Sequence, residues 1–163
     1  MRIVWDLDGV LRDLSGYVAT LRGCEYPKTW NADYNGKSIF ECIDENLNIL
    51  TDAPPTAYLK IMKKYFSNPE IWTNQKDSWK HPTMEWIRKH VGKEFDVRFL
   101  SSEEKEMRLA NKEDVLLIED TPNFKHYDRV LLIDRPYNQE VKSAIRIFGT
   151  KHLDNMIELS KGV

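Results

Sequence analysis

Residues 2–13, RIVWDLDGVLRD, decide how the rest of the chain is read. Ile3, Val4 and Trp5 form a short apolar run of the kind that fills a strand buried on both faces. The run stops at Asp6, with Asp8 two residues later, Gly9 beside it and Asp13 further on. If the run is a strand, Asp6 and Asp8 leave its carboxyl end together and can face one crevice, and Gly9 permits a tight turn there. Like charges this close repel one another, so a positive partner is expected at that edge.

Four more runs of the same type occupy residues 70–73, 97–100, 115–118 and 130–133. Helical periodicity lies between and after them. APPTAYLKIMKKYF places Tyr58, Ile61, Met62, Tyr65 and Phe66 on one stripe, and HPTMEWIRKHVG places Met84, Ile87 and Val91 ahead of a terminating Gly92. TKHLDNMIELSKG offers Thr150 as a cap, Leu153, Met156 and Ile157 as an apolar face, and Gly162 as a stop. Strands alternating with helices predict an α/β fold: a Rossmann-like parallel sheet of about five strands flanked by helices, in a single domain over residues 1–163. Residues 14–53 break the rhythm and are expected to form a small helical cap inserted after the first strand. The cap carries Tyr17, Tyr26, Trp30, Tyr34 and Phe40 and a turn signal in NADYNGK. Its aromatics either fill its own core or face a ligand.

The bulk properties narrow the function. The 163 residues carry 24 Lys and Arg against 26 Asp and Glu, for a net charge of −2. That balance lacks the basic excess with which proteins grip polymeric nucleic acid. Cys24 and Cys42 lie outside any CxxC pattern, no charged-then-apolar leader precedes the first run, and no apolar stretch approaches the ~20 residues that cross a bilayer. A reduced, cytoplasmic protein with no membrane partner is expected; the oligomeric state is left open.

A second acidic pair, Glu119 and Asp120, ends the run at 115–118, so two strands deliver carboxylates to one edge. Hard oxygen ligands favour Mg2+, which typically shares its coordination with a substrate phosphate. Asp13 is better read as a helix N-cap or a support for the turn.

With these residues in view, DLDGVLRD resembles the DxDGV signature of the haloacid dehalogenase-like (HAD) phosphohydrolases. That family's other motifs follow in order: Thr73 in PEIWTNQ, Lys105 or Lys112 in SSEEKEMRLANKEDVLLIED, and the pair Glu119 and Asp120. Ser101 and Ser102 compete with Thr73, but leave little room for a helix and a lysine before the next acidic strand. LLIEDTPNFKHYDRVLLIDRPYN further resembles the 5'(3')-deoxyribonucleotidase branch, from which the chain departs by Glu119 where Asp is usual and Thr121 where Arg is frequent. The resemblance implies a hydrolase in which Asp6 is the nucleophile and Asp8 the general acid and then base. Thr73 and the backbone at Asn74 would bind the phosphoryl group, and Lys105, with Lys112 as the alternative, would supply the cation. It implies Mg2+ held by Asp6, Asp8 (also through its main-chain carbonyl) and Asp120 with Glu119 nearby, the direct ligand of the pair being open. Trp30, Tyr34 and Phe40 would stack on the base or sugar of a nucleoside monophosphate. The alternatives are a phosphatase of the same fold acting on a sugar phosphate or another small phosphomonoester, and a non-catalytic phosphate-binding or signalling protein.

Overall fold

The computed structural model describes residues 1–111 and 114–161. Lys112, the alternative motif lysine, and Gly162, the expected helix stop, lie outside the described residues. Six strands, β1 (Arg2–Trp5), β2 (Glu70–Thr73), β3 (Asp96–Phe99), β4 (Val115–Glu119), β5 (Val130–Ile133) and β6 (Ile145–Ile147), form one parallel sheet in the order β3-β2-β1-β4-β5-β6. Five of them are the apolar runs of the sequence. The sixth adds one strand to the expected count of about five: β6 is an edge strand of three residues in which Ile145 is exposed and only Ile147 is fully buried, so it leaves no apolar run to read.

The sheet separates two apolar layers, and alternation along each strand assigns its side chains. Trp5, Ile71, Ile118, Leu131 and Ile133 face one layer; Val4, Trp72, Leu117, Val130 and Leu132 face the other. Helices α4 (Tyr58–Tyr65), α5 (Asp77–His90) and α7 (Thr150–Lys161) cover the first layer with Leu59, Met62, Trp86, Ile87, Leu153 and Ile157. Helix α6 (Ser102–Ala110) lies against the second, where Leu100, Phe124 and Tyr127 complete the packing. No helix among the described residues is long and apolar enough to cross a membrane.

Residues 14–53 leave and rejoin the body at one place. Asp13 N donates to Pro54 O (2.9 Å) and Thr56 N to Leu11 O (2.8 Å). Between these points run α1 (Leu14–Arg22), α2 (Ile39–Glu45) and α3 (Asn48–Asp52). Asp13 caps α1, its carboxylate accepting from Gly16 N at 3.1 Å. NADYNGK forms a turn with positive φ at Asn35 (54°) and Gly36 (92°). The insertion has its own core of Leu14, Val18, Tyr34, Cys42, Ile43 and Leu50, joined to the body by Trp79 of α5. Its aromatics therefore divide: Tyr34 belongs mainly to this core at 4% exposure, whereas Trp30 (44%) and Phe40 (52%) keep exposed faces.

Candidate active site

β1 lies between β2 and β4, so the strand order reverses around it and a crevice opens at the carboxyl ends. Trp5 pairs with Ile118, and Asp6 N donates to Ile118 O at 2.9 Å. This register sets Asp6 beside Glu119 and Asp120 as they leave β4. Thr73 ends β2 in the next position across the sheet. A capping box between Ser101 and Glu104 fixes the start of α6, which assigns Ser101 to the helix end and sets Lys105 at its second turn. Buried Lys105 places Nζ 2.7 Å from Asp6 Oδ1 and 3.0 Å from Glu119 Oε2. Oxygens from Asp6, Glu119 and Asp120 all lie within 4.8 Å of one another.

Lys105 thus pairs with two of the three buried carboxylates, and Asp120 accepts from the Tyr137 hydroxyl. Burial first, then the charge of Glu119, pushes Asp6 well above the usual carboxylate range, although Lys105 pulls the other way. Asp120 is raised for the same reasons in the same order. Burial also works against the charge on Glu119, but Lys105 and the Asp120 N–H outweigh it and hold Glu119 low. Lys105 is the converse: burial opposes its charge, yet Asp6 and Glu119 keep it above the ordinary lysine value. A site short of positive charge, walled by hard oxygens and open to a cleft, fits a divalent cation of the Mg2+ type.

Asp8 stands apart from that cluster. Its carboxylate accepts from Arg12 Nε (2.6 Å) and Nη2 (3.0 Å) and from Gln75 Nε2 (2.8 Å). Arg12 is fully buried; its Nη1 also donates to Leu50 O (2.8 Å), and both Nη atoms reach Thr83 Oγ1 (3.3 Å). Thr83 in turn donates to Gln75 Oε1 (3.0 Å), and Gln75 Nε2 donates to Thr73 Oγ1 (2.8 Å). The carboxylates that converge are Asp6, Glu119 and Asp120, and the side chain of Asp8, expected with them among the metal ligands, is engaged by Arg12 and Gln75. Gly9 is required between the two carboxylates, since its φ is +81° and a Cβ there would overlap the Asp120 carboxylate.

All ten residues singled out from the sequence (Asp6, Asp8, Thr73, Asn74, Lys105, Glu119, Asp120, Trp30, Tyr34 and Phe40) line one cleft of about 400 Å³. The carboxylates and Lys105 lie at the strand ends, and Trp30, Phe40, Trp79 and Tyr137 contribute aromatic wall. Lys76, over the rings of Phe40 and Trp79, is paired with Asp44 of the insertion (2.8 Å). Sequence reasoning missed Arg12, Gln75, Thr83 and Tyr137. Arg12 left one readable sign, a basic residue four positions after Asp8 and next to the apolar pair Val10 and Leu11. Gln75 and Thr83 left none. No family model and no curated protein matches the chain.

Proposed function

We propose that the protein is a Mg2+-dependent phosphomonoesterase of the haloacid dehalogenase-like type, acting on nucleoside monophosphates in the manner of the 5'(3')-deoxyribonucleotidases. The observation that carries this reading is the meeting of Asp6, Thr73, Lys105 and the pair Glu119 and Asp120 at the carboxyl edge of one sheet, inside a cleft that continues into an aromatic wall. Asp6, Glu119 and Asp120, with the Asp8 main-chain carbonyl, would hold the ion. Bound Mg2+ supplies charge neutralisation for the nucleophile and the transferring phosphoryl group.

The chain's own groups do the rest. An Asp6 carboxylate oxygen attacks phosphorus, the P–O bond to the leaving alkoxide breaks, and Asp8 gives that alkoxide a proton. Water then adds to the phosphorus of the aspartyl phosphate and gives a proton to Asp8; the bond to Asp6 breaks and inorganic phosphate leaves, restoring both side chains. Thr73 accepts from Gln75, which leaves its own hydrogen for a phosphoryl oxygen, and Lys105 offsets the charge gathered there. The planar faces of Trp30 and Phe40 suit a base.

A second reading, a phosphate-binding protein without turnover, is favoured by the engagement of Asp8 with Arg12 and Gln75. The test for both is phosphate release from a panel of deoxy- and ribonucleoside monophosphates and sugar phosphates, with and without Mg2+. Mg2+-dependent release that prefers nucleotides and falls by about a thousandfold or more in Asp6→Asn is expected. Preference for sugar phosphates would move the substrate, and binding of phosphate with no release from any compound would select the second reading.

A further inference from the structure

The turn at Pro136–Asn138 belongs to the PYN element of the sequence, and the chemistry above gives it no task. It is built into the floor of the cleft. Asn138 Nδ2 donates to the carbonyls of Ile133 (2.8 Å) and Asp120 (2.9 Å), and Arg135 donates to Gly9 O through Nη2 (2.8 Å) and Nε (3.1 Å). Tyr137, buried at 8% exposure, donates its hydroxyl to Asp120 Oδ2. The same ring carries part of the cap. Tyr26 stacks on it with centroids 6.2 Å apart and planes 15° apart, and Trp30 meets it edge-on at 5.4 Å.

Both cap residues lie in segment 24–37, which has neither helix nor strand. The rest of the cap is held to the body by polar contacts: Asp44 to Lys76 and Trp79, Leu50 O to Arg12, and Ala53 O to Trp86 Nε1 at 2.7 Å. Segment 24–37 rests on Tyr137 through these two ring contacts and a hydrogen bond between the Tyr26 and Tyr137 hydroxyls.

We propose that Tyr137 is a positioning residue linking cation binding at Asp120 to the seating of segment 24–37: its hydroxyl fixes the orientation in which Asp120 meets the ion, and its ring is the seat of Tyr26 and Trp30. The proposal rests on the reading of Asp6, Glu119 and Asp120 as the magnesium site. A partner that orients a metal ligand contributes to affinity without touching the ion. Because the orienting group is also the seat of the segment, linkage makes the effect reciprocal: a filled site favours a seated segment, and a seated segment favours a filled site. The wall of the cleft then tightens when the cofactor is in place.

The test uses the full chain without substrate. Mg2+ affinity is measured by calorimetry, and amide hydrogen exchange over residues 24–37 is followed with and without saturating Mg2+, with the amides of α7 as an internal reference. Wild type is expected to bind Mg2+ and to slow exchange in 24–37 several-fold relative to α7. Tyr137→Phe keeps the ring and removes the hydroxyl; its Mg2+ affinity is expected to fall about tenfold, and its segment to stop responding even at saturation. Trp30→Ala keeps the hydroxyl and lightens the segment; a loss of about threefold in Mg2+ affinity is expected, and no further loss when it is added to Tyr137→Phe. Additive effects of the two substitutions, or an undiminished exchange response in Tyr137→Phe, would overturn the link. Mg2+ binding by wild type with the segment unmoved would sink the link and leave the magnesium site standing, whereas no Mg2+ binding at all would remove both.

Discussion

Asp6 and Asp8 leave the same strand two residues apart and meet opposite surroundings. Around Asp6, three buried carboxylates converge, two of them sharing the ammonium of Lys105 and the third, Asp120, accepting from the Tyr137 hydroxyl. Around Asp8, one carboxylate receives a guanidinium fork and an amide, and every member of that network is itself partnered. The first arrangement is left short of positive charge by the protein alone. The second is complete. A carboxylate whose partners are supplied by the fold is held in one orientation, as the proposed acid and base must be, and a group the fold leaves short is available to something that arrives from outside.

The largest effect expected from this contrast is on Arg12. Arg12→Ala leaves Asp8, Leu50 O and Thr83 without their partner, and breaking a buried ion pair from one side typically costs about 3–5 kcal/mol. Asp8 keeps 26% side-chain exposure, so water compensates part of the loss and the lower end, about 3 kcal/mol, is expected. Urea unfolding with EDTA present measures it. A cost below about 1 kcal/mol would mean that Arg12 does not hold Asp8 in place.

Next in size is Asp120→Asn, for which the sign is opposite. The Asp120 carboxyl is raised in the folded state, so its contribution to stability is complete below its ordinary value of 3.8 and is lost as pH rises through the folded value. In the metal-free protein, wild type therefore gives up stability as pH rises above the ordinary carboxylate range, and the asparagine variant, which keeps only the raised Asp6, gives up less. Tyr137 can still donate to the asparagine oxygen. At about pH 7.5 in EDTA the variant is expected to be more stable than wild type, with the gap closing as the pH falls toward the ordinary carboxylate range. Glu119, held low, has the reverse dependence, being lost as pH falls, and it keeps that dependence in both proteins. Saturating Mg2+ is expected to raise the melting temperature of wild type more than that of the variant. A variant less stable than wild type at neutral pH without metal would break the comparison at its Asp6 side.

The two halves were also unequally legible in the sequence. The Asp6 half lies on strand ends, where a buried apolar run followed by a charge is a local signal; the register of β1 on β4 then brings Asp6 to Glu119 without further information. Lys105 followed from its spacing before β4 together with the resemblance. The Asp8 half depends on α5 packing over the turn at residues 9–12, a tertiary event that brings Thr83 to a residue 71 positions away. No periodicity in residues 77–90 marks Thr83 as the polar member of that pair. β6 was illegible for another reason: three edge residues with one fully buried side chain carry too little apolar pattern. Tyr34 stands between the two cases, since its aromatic character suggests a wall of the cleft while its surroundings are the core of the insertion.

That division inside the insertion gives the smallest effect, and it asks whether the contrast between Asp6 and Asp8 extends to apolar groups. Tyr34 is enclosed by the insertion's own side chains, as Asp8 is by its hydrogen bonds. Phe40 has one face on Trp79, with centroids 5.6 Å apart, and leaves 52% of its surface exposed at the cleft. An aromatic pair of this kind adds about 0.5–1.5 kcal/mol, so Phe40→Ala is expected to lower the unfolding free energy by no more than about 1 kcal/mol. If its free face receives the base of a monophosphate, the same substitution removes binding common to ground and transition states and raises KM about tenfold with kcat little changed. Steady-state kinetics on the best nucleotide of the panel, run beside urea unfolding, separate the two readouts. A stability loss of several kcal/mol with KM unmoved would place Phe40 with Tyr34 in the core of the insertion, and the rule that incompletely partnered groups serve the ligand would then hold for the carboxylates alone.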